Sequence, residues 1–229
     1  MKGSVSQQRR VPQGVDESLI ALRVAREIRP GEVVNLGIGL PTLVADYLPE
    51  GMAFLHAEIG IAGYGRHLPM EKLDEDYVDA GSAPVEVLPG SSFFASADAF
   101  AMIRGGHVDV GVLGAYQVSE RGDIANWLVP SRGVGSIGGA MDVAAGCRRL
   151  IVAMRHCTRE GAPRILRQCT YPLSAPRVAS LIVTDLAVIE VTRQGLSLRE
   201  VAPGLSPEKI QEFTGARLAL SPELGEMRF

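Results

Sequence analysis

The sequence lacks a long apolar run, an excess of basic residues and a secretion signal. Its longest apolar runs, such as Leu150–Met154, are far shorter than the roughly 20 residues that a transmembrane helix needs. The net charge is −3 and no cluster of Lys and Arg stands out, so nucleic-acid binding is not expected. Residues 1–14 carry basic side chains but no apolar core, which excludes a signal peptide and predicts a flexible N-terminal arm.

Metal and disulfide signatures are also missing. The three cysteines form no CxxC pair and leave an odd number, which favours a reduced, cytoplasmic setting over a disulfide framework. The four histidines have no ligand spacing with one another or with the cysteines, so no metal site is predicted. A G-x-S-x-G elbow and a P-loop lysine motif are both absent, which removes the commonest hydrolase and NTPase interpretations.

The residues that are present predict an α/β fold. The 229 residues are 46% hydrophobic and 21% charged, as in ordinary globular proteins, and no linker or repeat divides them. A single domain is therefore expected over residues 15–229. Its first elements read as a helix from Asp16 to Ile28, a strand at 32–36, a glycine-rich loop, a helix capped by Thr42, and a strand at 52–57. This alternation is typical of a parallel sheet.

Further elements are predicted along the rest of the chain. The interval 66–90 is expected to be irregular apart from a short strand at 85–88. Hydrophobic patterns and turn residues predict helices at 96–104, 133–145 and from 206 onward, and strands at 108–113, 123–129, 150–154, 181–183, 186–191 and 196–198. Ligands of such sheets bind beyond the carboxyl ends of the strands.

One carboxylate follows a predicted strand and precedes several glycines. The stretch Phe54–Gly65 leads an apolar run into Glu58, and Gly60, Gly63 and Gly65 come next. Glycines permit tight turns and let a ligand approach the backbone closely. Glu58 is therefore a candidate for chemistry, the alternative being a strand-end glutamate in an ordinary turn.

A second glycine-rich segment has three interpretations. Gly133-x-Gly135-x-x-Gly138 has the spacing of the dinucleotide fingerprint, and Arg155 at the end of the next strand would suit a 2′-phosphate. Pro130–Arg132 separates it from the preceding strand, however, and no acidic residue ends the following one. The segment is otherwise a loop that packs a helix on the sheet, or a loop whose backbone N–H groups stabilise an oxyanion or a phosphate.

Several motifs together resemble the B subunit of the family I 3-oxoacid CoA-transferases. The resemblance runs from about residue 16 to 219 and keeps the order and spacing of the family. It is carried by Asn35–Thr42, Phe100–Val110, Leu113–Val118, Gly122–Trp127 and Gly138–Asp142.

This resemblance implies a fold, a partner and a mechanism. Members of the family have an open three-layer α/β/α fold and pair this subunit with a homologous A subunit, which implies a hetero-oligomer. Their catalytic glutamate corresponds to Glu58. It would attack an acyl-CoA, form an acyl-glutamyl anhydride and then a glutamyl-CoA thioester, from which a second carboxylic acid takes the CoA. Coenzyme A is thus a substrate, and no permanently bound cofactor is implied.

The resemblance also implies the surroundings of the nucleophile. The residues expected to bind the substrate or CoA, some through backbone N–H groups, are Gly37, Gly39, Ile59, Gly60, Gly138 and Gly139. The family's Ser-Glu-Asn-Gly motif is Ala57-Glu58-Ile59-Gly60 here, and Arg66 replaces a proline. Two alternatives therefore stay open: a relative that decarboxylates or hydrolyses a CoA thioester, and a CoA-ester-binding subunit whose partner is catalytic.

Overall fold

A computed structural model describes residues 11–133 and 135–229. Its helices are α1 (Glu17–Ala25), α2 (Ser96–Arg104), α3 (Ala140–Gly146) and α4 (Pro207–Glu212), and short 3₁₀ segments span Leu40–Tyr47, Met70–Lys72 and Pro130–Arg132. The strands are β1 (Val33–Leu36), β2 (Phe54–Ala57), β3 (Ile61–His67), β4 (Val85–Phe93), β5 (Val110–Leu113), β6 (Gln117–Ser119), β7 (Ile124–Ala125), β8 (Arg149–Met154), β9 (Ile165–Leu166), β10 (Ala179–Thr184), β11 (Ala187–Thr192), β12 (Gly195–Val201) and β13 (Leu218–Glu226).

Ten strands form one mixed sheet in the order β13-β12-β11-β10-β8-β5-β1-β2-β3-β4. The central strands β10, β8, β5, β1 and β2 are mutually parallel. Antiparallel pairs extend the sheet on both sides, with β3 and β4 beyond β2 and β11 beyond β10. A smaller sheet has the order β7-β6-β9. The parallel centre brings the carboxyl ends of four consecutive strands, β8, β5, β1 and β2, to one edge.

Helices cover both faces of the large sheet. Alternate residues of β8 show the division, because Leu150 and Val152 belong to one buried cluster whereas Ile151 and Ala153 belong to the other. The first cluster includes Ile103 of α2 and Val143 of α3, and the second includes Ile20 of α1. Opposite orientation of successive side chains is the geometry of a strand buried on both faces. The α/β/α prediction is confirmed.

The N-terminal helix is shorter than predicted, and the second helix begins in a different way. α1 ends at Ala25, and Asp16 caps it by accepting a hydrogen bond from the N–H of Leu19 at 2.9 Å. The predicted cap at Thr42 is wrong, since the 3₁₀ segment already begins at Leu40. The Thr42 hydroxyl instead donates back to the carbonyl of Gly39 at 2.9 Å. Pro41 suits such a first turn because it needs no N–H partner there.

Three strand predictions needed correction. β3 (Ile61–His67) was not predicted, because its glycines obscure the alternation, and β4 extends the strand predicted at 85–88 as far as Phe93. The two strands form an antiparallel hairpin across the interval 66–90, most of which was expected to be irregular. The strand predicted at 123–129 is only β7, because the N–H of the next residue, Asn126, donates to the Ser174 hydroxyl instead of continuing the ladder. β13 was missed because Pro222 and exposed polar residues interrupt its pattern, which is tolerated at a sheet edge.

The dinucleotide interpretation of the second glycine segment does not fit the fold. A 3₁₀ turn at Pro130–Arg132, not a strand, precedes Gly133, and α3 begins only at Ala140. Residue 134 lies outside the described residues. Arg155 is engaged by Glu17 at 3.3 Å and by Asp185 at 3.6 Å instead of standing free for a phosphate. The segment is therefore a loop that leads into a helix.

Two further expectations concern the N-terminal arm and membrane-spanning helices. Of the predicted arm, residues 1–10 lie outside the described residues, whereas Val11 packs against the core and Gly14 lies against Asp185. None of the helices in residues 11–133 and 135–229 combines the length and apolar character that crossing a bilayer requires.

Candidate active site

A cavity of about 470 Å³ opens at the carboxyl edge of the parallel strands. The residue after each of four strands reaches its wall: Gly37 follows β1, Glu58 follows β2, Gly114 follows β5 and Arg155 follows β8. The rest of the wall comes from the 3₁₀ segment at Leu40–Tyr47 and from the loop before α3. This is the edge at which ligands of open α/β sheets bind.

Glu58 is held by an amide from the neighbouring strand. Asn35 of β1 is completely buried, and its Nδ2 lies 3.1 Å from Oε2 of Glu58. The same nitrogen is 3.2 Å from the carbonyl oxygen of His56 and 3.2 Å from the ring Nδ1 of His56. The carboxylate and carbonyl oxygens accept from this nitrogen. Burial lowers the pKa of His56, which favours the neutral ring, and its Nδ1 accepts in the tautomer that carries the proton on Nε2. Asn35 thus directs a donor at the carboxylate.

The turn after Glu58 is fixed by close contact with the segment before α2. The N–H of Phe94 donates to the carbonyl of Gly60 at 2.9 Å, and the Ser96 hydroxyl donates to the main-chain carbonyl of Glu58 at 2.9 Å. Gly60 has φ of 114°, and a Cβ there would lie 2.1 Å from the Phe94 carbonyl oxygen. Only glycine fits this position. The structure therefore gives Gly60 a steric role, and binding by Gly60 stays a prediction.

Gly139 lies against the side chain of Glu58. A Cβ at Gly139 would come within 3.2 Å of Glu58 Cγ and 3.0 Å of the Phe100 ring, so the absent side chain leaves room for the carboxylate. Gly138 is exposed and lines the same cavity, and a Cβ added to it would meet nothing within 4 Å. The structure thus brings the segment Gly138–Gly139 together with Glu58, and binding of substrate or CoA by these glycines stays a prediction.

The other predicted residues divide into two groups. Gly37 lines the cavity, but its N–H donates to the carbonyl of Val112 at 2.9 Å, so it contributes close packing and not a free donor. Gly39, Ile59 and Gly60 are not on the cavity wall. Ile59 adjoins Glu58 in the chain and is 45% exposed to solvent. A contact between Ile59 and an acyl group therefore stays a prediction.

Several residues around the carboxylate were not predicted. Asn35 lies in one of the family motifs, and its place in the buried strand beside the one that leads to Glu58 is the signal that could have identified it. Tyr116 and Asn126 come from loops of the small sheet, and Arg164 directly precedes β9. No sequence pattern links these loops to Glu58, because only the tertiary fold carries the small sheet to the cavity.

A histidine between two carboxylates attaches the β3–β4 hairpin to the 3₁₀ segment of the wall. His67 Nδ1 lies 3.0 Å from Asp46 and Nε2 lies 3.1 Å from the buried Asp79. Hydrogen bonding to Asp79, above all, raises the pKa of His67 to about 9, despite the opposing effect of burial. Asp79 also accepts from the N–H groups of Gly81 and Ala83, which orders the hairpin loop.

We expect the free energy of unfolding to fall at alkaline pH because His67 loses the proton that it shares with Asp46 and Asp79. The folded protein keeps the His67 proton up to pH about 9, whereas the unfolded chain releases it near 6.5. The stabilisation is thus complete below pH 6.5, declines between 6.5 and 9, and is absent above. Urea unfolding at pH 6 and 9.5 should show a loss of about 2 kcal/mol that His67→Gln does not share. An equal loss in both proteins would contradict the assignment.

Fold and site together define an α/β protein with a carboxylate on the wall of a cavity at the carboxyl edge of its sheet. The profile of the family described as Coenzyme A transferase matches residues 18–212. The beta subunit of acetate CoA-transferase from Escherichia coli is 46% identical over 210 residues, which are 91% of this chain and 96% of that protein. The B subunit of 3-oxoadipate CoA-transferase from Pseudomonas putida is 46% identical over 200 residues, covering 87% and 94%. The chain belongs to the coenzyme A transferase family, and it is a subunit of the B type.

The chain is also similar to part of a longer relative and, in fold, to solved structures. The human mitochondrial succinyl-CoA:3-ketoacid coenzyme A transferase 2 is 44% identical over 212 residues, 91% of this chain but 41% of that protein. The Escherichia coli acyl-CoA transferase YdiF, in a thioester complex with CoA, has a TM-score of 0.73 at 21% identity and covers 95% of this chain and 44% of its own. The decarboxylase AibA/AibB has a TM-score of 0.63 at 22% identity, covering 93% and 88%. These structures share the fold.

Proposed function

We propose that this chain moves CoA from an acyl-CoA to a carboxylic acid through a thioester on Glu58. The observation that supports it best is the position of the Glu58 carboxylate, which lies on the cavity wall, beside Gly139 and within hydrogen-bond distance of the buried Asn35. Residues 15–229 form the catalytic domain in this proposal, and the three free cysteines support a cytoplasmic location.

The reaction proceeds in two balanced half-reactions. An oxygen of Glu58 attacks the acyl carbonyl carbon, the carbon–sulfur bond breaks, and CoA leaves as a thiolate. The thiolate then attacks the γ-carbonyl of Glu58, which releases the first acid as a carboxylate and leaves the glutamyl-CoA thioester. A second carboxylate reverses both steps. Because a carboxylate is a weak nucleophile, orientation within the cavity and donors such as Asn35 must supply much of the rate.

A homologous A subunit completes the enzyme in this proposal. Relatives that this chain covers almost end to end are named as beta or B subunits, whereas the chain corresponds to 41% of the single-chain human relative. The cavity is open on one side, and the exposed apolar side chains near its rim include Ile38, Ile59 and Ile137. Burial of such side chains against another subunit is the ordinary explanation for their exposure.

The purified chain alone should therefore transfer CoA at less than about one hundredth of the rate of its complex with the A subunit. The reason is that one side of the cavity lacks its wall and the substrate loses orientation. Transfer from acetyl-CoA to an added carboxylic acid is measured with and without the A subunit. Full transfer by the chain alone would contradict the need for a partner. Release of free CoA from acetyl-CoA without any added acid would instead favour a hydrolase. A decarboxylase would be revealed only with an acyl-CoA that carries a free carboxylate, by release of carbon dioxide.

Ile59 provides a test of acyl choice. It stands where the family has an amide, and a site that hydrogen-bonds a polar substituent discriminates more strongly than one that merely accommodates it. Ile59→Asn should raise the ratio of kcat/KM for acetoacetyl-CoA to that for butyryl-CoA by roughly tenfold. Ile137→Asn, which alters another exposed isoleucine that is not on the cavity wall, is the matched control. An unchanged ratio in the Ile59 variant would show that this position does not set acyl choice.

A further inference from the structure

Arg164 lines the cavity and forms no ion pair with an acidic residue in the described part of the chain. Two arginines lie on the cavity wall, Arg155 and Arg164. Arg155 is engaged by Glu17, by Asp185 and by the carbonyl of Val15 at 3.2 Å. Among residues 11–133 and 135–229, Arg164 forms no ion pair. Arg155 is therefore paired with carboxylates of the chain, whereas Arg164 is not.

The backbone of Arg164 is held on both sides. Its N–H donates to the carbonyl of His156 at 3.0 Å, and its carbonyl accepts from the N–H of Val118 at 2.9 Å. The next residue, Ile165, is completely buried in the core. The half-buried Arg164 side chain thus extends from a fixed base. A guanidinium whose origin is fixed loses less conformational entropy when it binds a planar anion.

The charges on the cavity wall indicate what Arg164 would bind. The lining contains four charged side chains, and Glu17 pairs with Arg155. The other two charged side chains of the lining are Glu58 and Arg164. During transfer the reacting carboxylate loses its charge, because it becomes a thioester. A second carboxylate on the same acid keeps its charge in every intermediate, so it can stay on one guanidinium throughout.

The geometry points to Arg164 as a specificity-determining residue that binds the remote carboxylate of dicarboxylic acids and of their CoA esters. This inference rests on the proposed function of Glu58. Guanidinium and carboxylate form paired, charge-assisted hydrogen bonds, which are among the stronger polar contacts in proteins. The other anionic group of the substrates that a guanidinium could bind is a phosphate of CoA. The pantetheine arm separates those phosphates from the sulfur, whereas Arg164 lines the same cavity as Glu58.

The test compares succinate with butyrate, which differ by the remote carboxylate. Both serve as acceptors from acetyl-CoA in the complex with the A subunit. Arg164→Met should lower kcat/KM for succinate by roughly 100-fold and that for butyrate by less than about threefold. Arg164→Lys should recover part of the loss, because it restores the charge without the planar fork. Arg167→Met, which removes an exposed arginine three residues away, should leave both values unchanged.

Three results would overturn the inference. Equal losses for both acids would assign Arg164 a general role, and no loss for succinate would assign it none. A loss that disappears when acetyl-pantetheine, which has no phosphates, replaces acetyl-CoA would assign the guanidinium to a CoA phosphate. Failure of the proposed function looks different, since no acid would then become a CoA ester and wild-type Glu58 would never be labelled as a thioester.

Discussion

The assembled enzyme, given acyl-CoA and no acceptor, should accumulate a thioester between Glu58 and CoA. Borohydride reduces such a thioester to an alcohol and leaves free carboxylates unchanged. Peptide mass analysis should therefore find one carboxyl group lost, at Glu58, only in samples that contained acyl-CoA. This outcome follows from the position of Glu58 on the cavity wall, where its carboxylate is in contact with Asn35 and close to Gly139.

Glu58→Gln should lower the rate of CoA exchange by about 10³-fold or more, because the amide keeps the size of the side chain and removes the nucleophile. The fold should change little, since the side chain of Glu58 is only partly buried. Glu17→Gln is the matched control. It alters another carboxylate of the same cavity, one that pairs with Arg155, and it should remain able to form the labelled thioester.

The site of labelling distinguishes the alternatives. Asp109, Asp123 and Asp142 also lie at strand or helix ends, but each is engaged: Asp109 by Arg148, Asp123 by Ser119 and Asp142 by Arg104. A label on one of these would move the active site. Consumption of the CoA ester without any label and without an acceptor would favour decarboxylation or hydrolysis over transfer.

Asn35→Ala should lower kcat by roughly 10- to 100-fold while KM for the acyl-CoA changes little. The substitution removes the amide that donates to Glu58 Oε2 at 3.1 Å, and hydrogen bonds to charged groups contribute about 1.5–3 kcal/mol. The effect falls on kcat because the amide orients the nucleophile and does not line the cavity itself. Steady-state kinetics of the complex, with rapid-quench measurement of thioester formation, provide the measurement.

Two further variants distinguish a role of Asn35 in orienting the Glu58 carboxylate from a role in maintaining the fold. Asn35→Asp keeps the size but places a second carboxylate beside Glu58, so thioester formation should slow further and its pH profile should shift upward. Ser96→Ala removes a donor to the main-chain carbonyl of Glu58 and not to its carboxylate, so its effect should be less than about threefold. If Ser96→Ala and Asn35→Ala are equally damaging, the amide has no special role in orienting the carboxylate.

Local sequence determined the elements that surround Glu58. Apolar runs bounded by glycine and proline specify buried parallel strands, and the order of helices and strands specifies the α/β class. The match at α2, predicted and observed at residues 96–104, reflects a helix that is ended by Gly105–Gly106. Glu58 was recognisable because a strand-end carboxylate followed by glycines has a limited number of explanations, and the family motifs reduced that number further.

Tertiary structure decided how those elements meet. Asn35 and Glu58 are 23 residues apart in the chain, and only the parallel pairing of β1 with β2 places the amide against the carboxylate. Arg164 reaches the cavity because β9 pairs with β6, a contact between distant segments that no local pattern encodes. The sequence by itself thus determined the fold class and identified Glu58 as the candidate carboxylate. The amide beside Glu58 and the arginine on the same cavity wall came from strand pairing, since hydrogen bonds between distant segments depend on register and not on neighbouring residues.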